Sequence, residues 1–330
     1  MDQFINIPVD HTGLIGDLRL ASLVSEAMIA PFDFSDVFLY SHGWWTAATD
    51  AMSDYSRFSV EFVKALSTIS PAAIASAPRS SFGIGVHWPS TLSDDAHNAL
   101  NIFEPLSFYQ MEKRSDVVGQ NAVFALMQLM YQAREQIADT PMFRLTLIGH
   151  SFGCKVVCNA LNRLYEEINS TGTPESYRSF VMNMRVNVVL LQACFECSAL
   201  DARGSYSNLA KFPQLHILVT RSDLDLALKN LFPLAEYMNV LSLNPGSRQA
   251  LGWAGPTDTT RSAFSSASMV IEPGYGPTAD SLMPEGSRML VADITPVHRV
   301  SNFPASPLKG HHSDIFLNEI YRLIAKFAFS

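Results

Sequence analysis

Charge is scarce in this chain. Only 16% of its 330 residues are Asp, Glu, Lys or Arg, and 23 basic against 31 acidic side chains leave a formal charge of −8. No Lys/Arg cluster occurs, which argues against nucleic acid or an anionic membrane surface as the partner and favours a neutral small molecule. Long apolar runs are missing too. No stretch approaches the roughly 20 residues that cross a bilayer, so no integral membrane segment is expected. Met1-Asp2-Gln3-Phe4 lacks the basic start and apolar core of a secretion signal, and a soluble, cytoplasmic chain is expected. Cysteine is limited to Cys154, Cys158, Cys194 and Cys197. The last two have CxxC spacing, but the first pair falls on a predicted helix and the second at a strand end. Buried free thiols fit that placement better than a redox or zinc site. The histidines are scattered, with no HxxxH or HxH pair beside an acidic partner, so neither a metal nor another cofactor is expected.

What the chain does have is apolar material, 48% of residues, enough for a sizeable core. It is arranged as short apolar runs alternating with longer amphipathic stretches, the pattern of a mainly parallel sheet covered by helices on both faces. Strands are predicted at 37–40, 83–87, 144–148, 186–193, 216–220 and 289–294, and helices at 53–67, 117–137, 154–168 and 313–327. Two stretches break the rhythm. Residues 90–115 show no periodicity, and 244–286 are rich in Gly, Pro, Ser and Thr, which favour turns. Long irregular stretches in compact domains are commonly functional or mobile, so 244–286 reads either as a lid or as a surface excursion. No internal repeat and no linker divides the chain, and one α/β domain over 1–330 is expected.

The strongest local signal is the predicted strand Arg144-Leu145-Thr146-Leu147-Ile148 running into Gly149-His150-Ser151-Phe152-Gly153 and then into an apolar helix. A serine on a sharp strand-to-helix turn has a strained backbone, and close neighbours there must be glycine. The turn lifts the hydroxyl clear of the sheet, and the helix start directs amides at it. Ser151 is thus a candidate nucleophile and the Phe152 N–H a candidate oxyanion donor. Upstream, Val37-Phe38-Leu39-Tyr40 ends in Ser41-His42-Gly43-Trp44-Trp45, a glycine turn after an early strand. Its Trp44 N–H is the candidate second donor.

A serine nucleophile needs an imidazole to take its proton and a carboxylate to orient that imidazole. After the strand at 216–220 stand Asp223 and Asp225, either of which could be the acid, with Asp293 a weaker third. Near the C-terminus, Lys309-Gly310-His311-His312-Ser313-Asp314 offers two histidines ahead of the last helix, His312 the first choice and His311 the reserve.

His42-Gly43-Trp44, Trp88-Pro89-Ser90, Gly149-His150-Ser151-Phe152-Gly153, Asp225-Leu226-Ala227-Leu228 and His312-Ser313-Asp314-Ile315 together span most of the chain. On these landmarks the sequence resembles the α/β-hydrolase superfamily and, within it, uncharacterised bacterial esterase/lipase-like proteins. The resemblance implies an acid at the first residue of a D-x-A-L string, which selects Asp225 over Asp223. It implies an α/β-hydrolase fold and a serine hydrolase with Ser151, Asp225 and His312 as the triad. The expected substrate is a small-molecule carboxylic ester, with an apolar acyl group suggested by Trp44, Trp45, Phe82 and Trp88. Two rival readings remain at this level: an amidase, peptidase or acyltransferase using the same residues, and a binding protein on a hydrolase fold that has lost catalysis.

Overall fold

A computed structural model describes residues 3–29, 34–44, 46, 48–68, 81–91, 104–135, 143–238, 249–274, 277, 282–302, 305 and 309–330. The elements in chain order are β1 (Gln3–Pro8), α1 (Leu18–Ala27), β2 (Asp36–Ser41), α2 (Ala48–Ser67), β3 (Ser81–His87), α3 (Glu104–Val118), α4 (Phe124–Glu135), β4 (Arg144–His150), α5 (Gly153–Ile168), α6 (Glu175–Asn183) and β5 (Val186–Leu191). There follow β6 (Leu215–Arg221), α7 (Phe232–Met238), α8 (Leu251–Ala254), α9 (Asp258–Ala263), β7 (Ala267–Val270), β8 (Met289–Asp293), α10 (Thr295–Val300) and α11 (Asn318–Phe329). Among the described residues, eight strands form one sheet in the order β1-β3-β2-β4-β5-β6-β8-β7, and every pairing is parallel. This is an α/β-hydrolase fold, as the alternation of apolar runs and amphipathic stretches predicts. No described helix is long and apolar enough to cross a membrane.

A parallel sheet covered on both faces needs strands apolar on both sides, and the central strands β2 and β5 are buried throughout. Their side chains alternate between two cores. Val37, Leu39, Leu145, Leu147, Val188 and Leu190 point to a core completed by α4 and α5. Phe38, Tyr40, Ile148, Val189 and Leu191 point to the other, completed by α2 and α11. There Phe62 meets Phe38 edge-on at 4.8 Å and Phe58 lies 5.8 Å from Tyr321. All parallel strands deliver their C-terminal ends to one rim, where the loops after β2, β4, β5 and β6 can converge on a ligand.

The six predicted strands are all present, and two more flank them. β1 and β7 are the sheet's edges. Their sequences are short and only partly apolar, and they become strands because β3 and β8 present unpaired backbone to them. The stretch 90–115 departs from expectation, since its residues from Glu104 onward form α3. That helix runs through a π-helical turn at Gly119–Val123 into α4, so the predicted helix at 117–137 is the second half of a longer element, with 136–137 outside the described residues. Burial at Phe108, Met111, Ser115 and Val118 mixes apolar with polar side chains, which is why no apolar stripe marks α3. The described part of 244–286 forms α8, α9 and the edge strand β7, while 244–248, 275–276 and 278–281 lie outside the described residues.

At the rim opposite the converging loops, Arg144 begins β4 and donates from Nε to Asp36 Oδ1 at 2.6 Å and from Nη1 to the Ala328 carbonyl at 3.0 Å. Its guanidinium lies 4.4 Å over the Phe329 ring. One side chain thus joins β2, β4 and the end of α11. Removing one partner of a buried pair strands the other charge. Arg144→Met is expected to destabilise the fold by about 3–5 kcal/mol, read from the urea midpoint; a change below about 1 kcal/mol would mean that Asp36 finds other solvation.

Candidate active site

The turn from β4 into α5 is sharp because Ser151 has φ +55°, a left-handed conformation that L-residues other than Asn and Asp rarely adopt. It is held there from both sides: Ser151 N–H donates to the Leu191 carbonyl at 3.0 Å, and its own carbonyl accepts from Cys154 N–H at 3.1 Å. Gly153 sits so close to β2 that a Cβ would lie 2.1 Å from the Ser41 carbonyl oxygen, and one on Gly149 would lie 2.5 Å from the Gly153 backbone. Both glycines of the elbow therefore answer to close backbone approach.

Two loops build the relay to Ser151. His312 Nε2 lies 2.8 Å from Ser151 Oγ, and His312 Nδ1 lies 2.7 Å from Asp225 Oδ2. The carboxylate can only accept, so Nδ1 carries the proton and Nε2 is left as acceptor for the serine hydroxyl. Asp225 is wholly buried, and its Oδ1 accepts from Leu228 N–H at 3.0 Å. The loop of His312 reaches Asp225 because the two segments are joined by backbone: His311 N–H donates to the Leu224 carbonyl at 3.1 Å and Ala227 N–H to that of Lys309 at 3.3 Å. Gly310 makes this approach possible, having φ +57° and a position where a Cβ would be 2.2 Å from the Leu224 oxygen.

The other candidates stand elsewhere. Asp223 is exposed and faces Arg221 at 3.7 Å. Asp293 accepts from Arg221 at 2.5 Å and from the N–H of Thr295, the first residue of α10, at 2.9 Å. The His311 ring stacks on His298 at 5.3 Å and pairs with Asp314 at 3.2 Å, turned away from Ser151.

The glycine turn after β2 is clamped by the Trp88-Pro89-Ser90 landmark. Trp88 lies flat on His42, with ring centroids 5.3 Å apart, and its Nε1–H donates to Ser41 Oγ and the His42 carbonyl, each at 3.2 Å. Ser90 Oγ donates to the Thr46 carbonyl and accepts from Thr46 N–H, both at 3.0 Å. Trp44 is thereby held over the elbow, its ring 6.1 Å from that of Phe152.

A cavity of about 40 Å³ opens at Ser151 and His312, walled by Trp44, Phe108, Leu228, Leu231 and Phe232. Of the described aromatic residues expected here, only Trp44 lines it. Trp88 is buried behind the turn, Phe82 lies near the other end of the sheet stacked on Phe34 at 5.4 Å, and Trp45 falls outside the described residues. Phe108 and Phe232 were not legible as wall residues because their helices are distant in sequence and carry no motif. Cys194 also lines this cavity. Burial pushes its thiol well above the ordinary range. The three other cysteines are free as well, Cys197 being half-buried. A larger cavity of about 410 Å³ lies on the far side of Phe232, lined by Phe195, Glu196, Asp201 and Lys155 among others. Lys155 is held there by Glu112 at 2.8 Å and Asp116 at 3.3 Å.

His150, within the elbow, donates from Nε2 to the His312 carbonyl at 2.9 Å and so supports the loop that carries the facing imidazole. Burial, with His312 adding to it, pushes the His150 imidazole down to about 3, and burial likewise pushes His42 down to about 3. Both lie below the ordinary histidine value of about 6.5, so the unfolded chain binds protons that the native one does not. Stability is then full above about pH 6.5 and is lost as pH falls toward 3. Asp54, raised to about 6 by burial, acts in the opposite sense. Urea unfolding between pH 7 and 5.5 should show falling stability, shallower in His150→Gln and steeper in Asp54→Asn; parallel curves for all three would contradict the buried neutral imidazole.

Comparison with known proteins gives no match among curated sequences. A family model described as alpha/beta hydrolase of unknown function (DUF900) matches residues 56–233, more than half of the chain. The matched stretch holds the elbow and Asp225, while Trp44 and His312 lie outside it on either side. By that match, and by the fold that carries it, the chain belongs to this family of α/β-hydrolases.

Proposed function

We propose that this α/β-hydrolase is a serine hydrolase that cleaves carboxylic esters with small acyl groups. The observation that carries the reading is the continuous chain Ser151 Oγ to His312 Nε2 at 2.8 Å and His312 Nδ1 to Asp225 Oδ2 at 2.7 Å, on a serine held at φ +55°. In this reading the Ser151 proton passes to His312 Nε2 as Oγ attacks the ester carbonyl carbon. Asp225 keeps the imidazole in the acceptor tautomer and stabilises the imidazolium that forms. The carbonyl oxygen gathers negative charge and is met by the amides of Phe152 and Trp44, where losing one donor costs about 2.7–4 kcal/mol. His312 then gives its proton to the departing alcohol, and water, activated by the same nitrogen, releases the acid from Ser151.

The size of the cavity supports a short acyl group. About 40 Å³ is room for roughly two to four water-sized groups, which suits the one to three alkyl carbons of an acetyl to butyryl chain. The apolar wall formed by Trp44, Leu228, Leu231 and Phe232 offers an acyl chain contact without hydrogen bonds. The chain's scarcity of charge and the lack of a membrane-crossing helix among the described residues fit a soluble enzyme meeting a neutral ester in the cytoplasm.

Two experiments test it. A fluorophosphonate should label Ser151 alone, mapped by mass spectrometry, and Ser151→Ala should abolish labelling; Asp225→Asn should slow turnover by about 10⁴ and Asp223→Asn should leave it within twofold. Labelling of folded wild type at another residue, or none, would sink the reading. Across p-nitrophenyl esters, kcat/KM should be highest for acetate to butyrate and fall for octanoate, with Phe232→Ala shifting the optimum to longer chains. A wild-type optimum at octanoate would show that the cavity does not bound the acyl group.

A further inference from the structure

Gln192 follows the last residue of β5 and is fully buried, with φ +45°. A buried glutamine in backbone territory that usually belongs to glycine is costly twice over, in backbone strain and in lost hydration, and persists where its contacts over-determine it. Its backbone N–H donates to Thr220 Oγ1 at 3.0 Å, tying the end of β5 to the end of β6. The side-chain Nε2 donates to Asp225 Oδ2 at 2.8 Å and to the His311 carbonyl at 3.2 Å. Both are acceptors, so the amide orientation is dictated by its surroundings: turned over, it would set Oε1 against a carboxylate and a carbonyl. Oε1 itself has no partner among the described residues. The packing thus leaves one amide group unsatisfied in order to place the other.

Oδ2 is the same oxygen that accepts from His312 Nδ1. One NH₂ group therefore fixes the acid and the backbone of the residue before the base at once. α8 presses on this point, since Gly252 lies where a Cβ would be 2.4 Å from the Gln192 carbonyl carbon. We propose that Gln192 is a positioning residue for the Ser151–His312–Asp225 relay, holding the Asp225 carboxylate and the His312 loop in register through its two donated hydrogen bonds. This rests on the serine-hydrolase reading above for its catalytic consequence, but the positioning itself does not.

The test is a double-mutant cycle of Gln192→Met, which keeps length and volume but removes both donors, with Asp225→Asn. Gln192→Met should lower the rate of fluorophosphonate labelling at Ser151 by about tenfold or more, in line with the loss of a hydrogen bond to a charged group. In the Asp225→Asn background the same change should cost severalfold less, because the carboxylate is gone and the bond to the His311 carbonyl is the main one left to lose. Equal losses in both backgrounds would overturn the proposal and leave Gln192 a structural residue only. A readout without turnover separates this from the reading it rests on. The downfield proton resonance of His312 Nδ1–H, assigned by its disappearance in His312→Gln, should shift or broaden in Gln192→Met. If wild type fails to label while that resonance still responds, the serine-hydrolase reading falls and the positioning stands; if wild type labels and the resonance is unmoved, the positioning falls.

Discussion

A carboxylate cut off from water holds the centre of this structure together. Asp225 is completely buried, and a buried carboxylate is tolerable only where both of its oxygens are hydrogen-bonded. Here three segments meet them: the end of β5 through Gln192, the π-helical turn Ala227–Leu231 after β6 through Leu228, and the 309–312 loop through His312. Because the three donors come from residues far apart in sequence, satisfying one side chain forces the loops into a single arrangement. The position of His312 over Ser151 follows from that arrangement, with the backbone bonds between 309–311 and 224–227 closing the gap.

The opposite side of the site is built on a different physical principle. The turn that carries Trp44 holds no charged residue of its own, and its order comes from aromatic stacking and hydrogen bonds around His42, Trp88 and Ser90, with Arg114 donating to the Pro89 and Thr91 carbonyls behind it. Burial keeps the His42 imidazole neutral, with Nδ1–H donating to the Gly43 carbonyl at 2.8 Å and Nε2 accepting from Trp88 N–H at 3.3 Å. A charged imidazole would need two acceptors and could not take the Trp88 amide proton. The Trp88-Pro89-Ser90 landmark thus has a structural reason: it braces the turn opposite the elbow.

Between the two sides lies a small apolar cavity, and beyond Phe232 a larger polar one. Wall residues arrive from the turn after β2, from α3 and from the segment leading into α7, so the shape of the cavity depends on helix placement around the elbow. The chemistry proposed for Ser151 asks little of those walls, whereas the choice of acyl group depends on them.

Much of this could be read in the sequence wherever the signal is local. A strand, a serine between two glycines and an apolar helix occur within 144–168, and the close approaches at Gly149 and Gly153 are contacts among near neighbours and the adjoining strand, so the residue pattern reports the elbow directly. The six inner strands were legible because burial on both faces leaves continuous apolar runs. The edge strands were not, since β1 and β7 owe their conformation to pairing with β3 and β8 rather than to their own residues. Nor could the sequence separate Asp223 from Asp225 by chemistry: they are two residues apart on one loop, and only the approach of the 309–312 segment leaves one exposed beside Arg221 and the other buried beneath an imidazole. Gln192 carried no signal at all, because a glutamine becomes informative only when its two acceptors are known. The sequence by itself determined the six inner strands, the main helices between them and the strained turn at Ser151, which arise from neighbouring residues; the pairing of acid, imidazole and amide was decided by tertiary structure, because hydrogen bonds between loops 33, 87 and 119 residues apart depend on how the whole sheet is assembled.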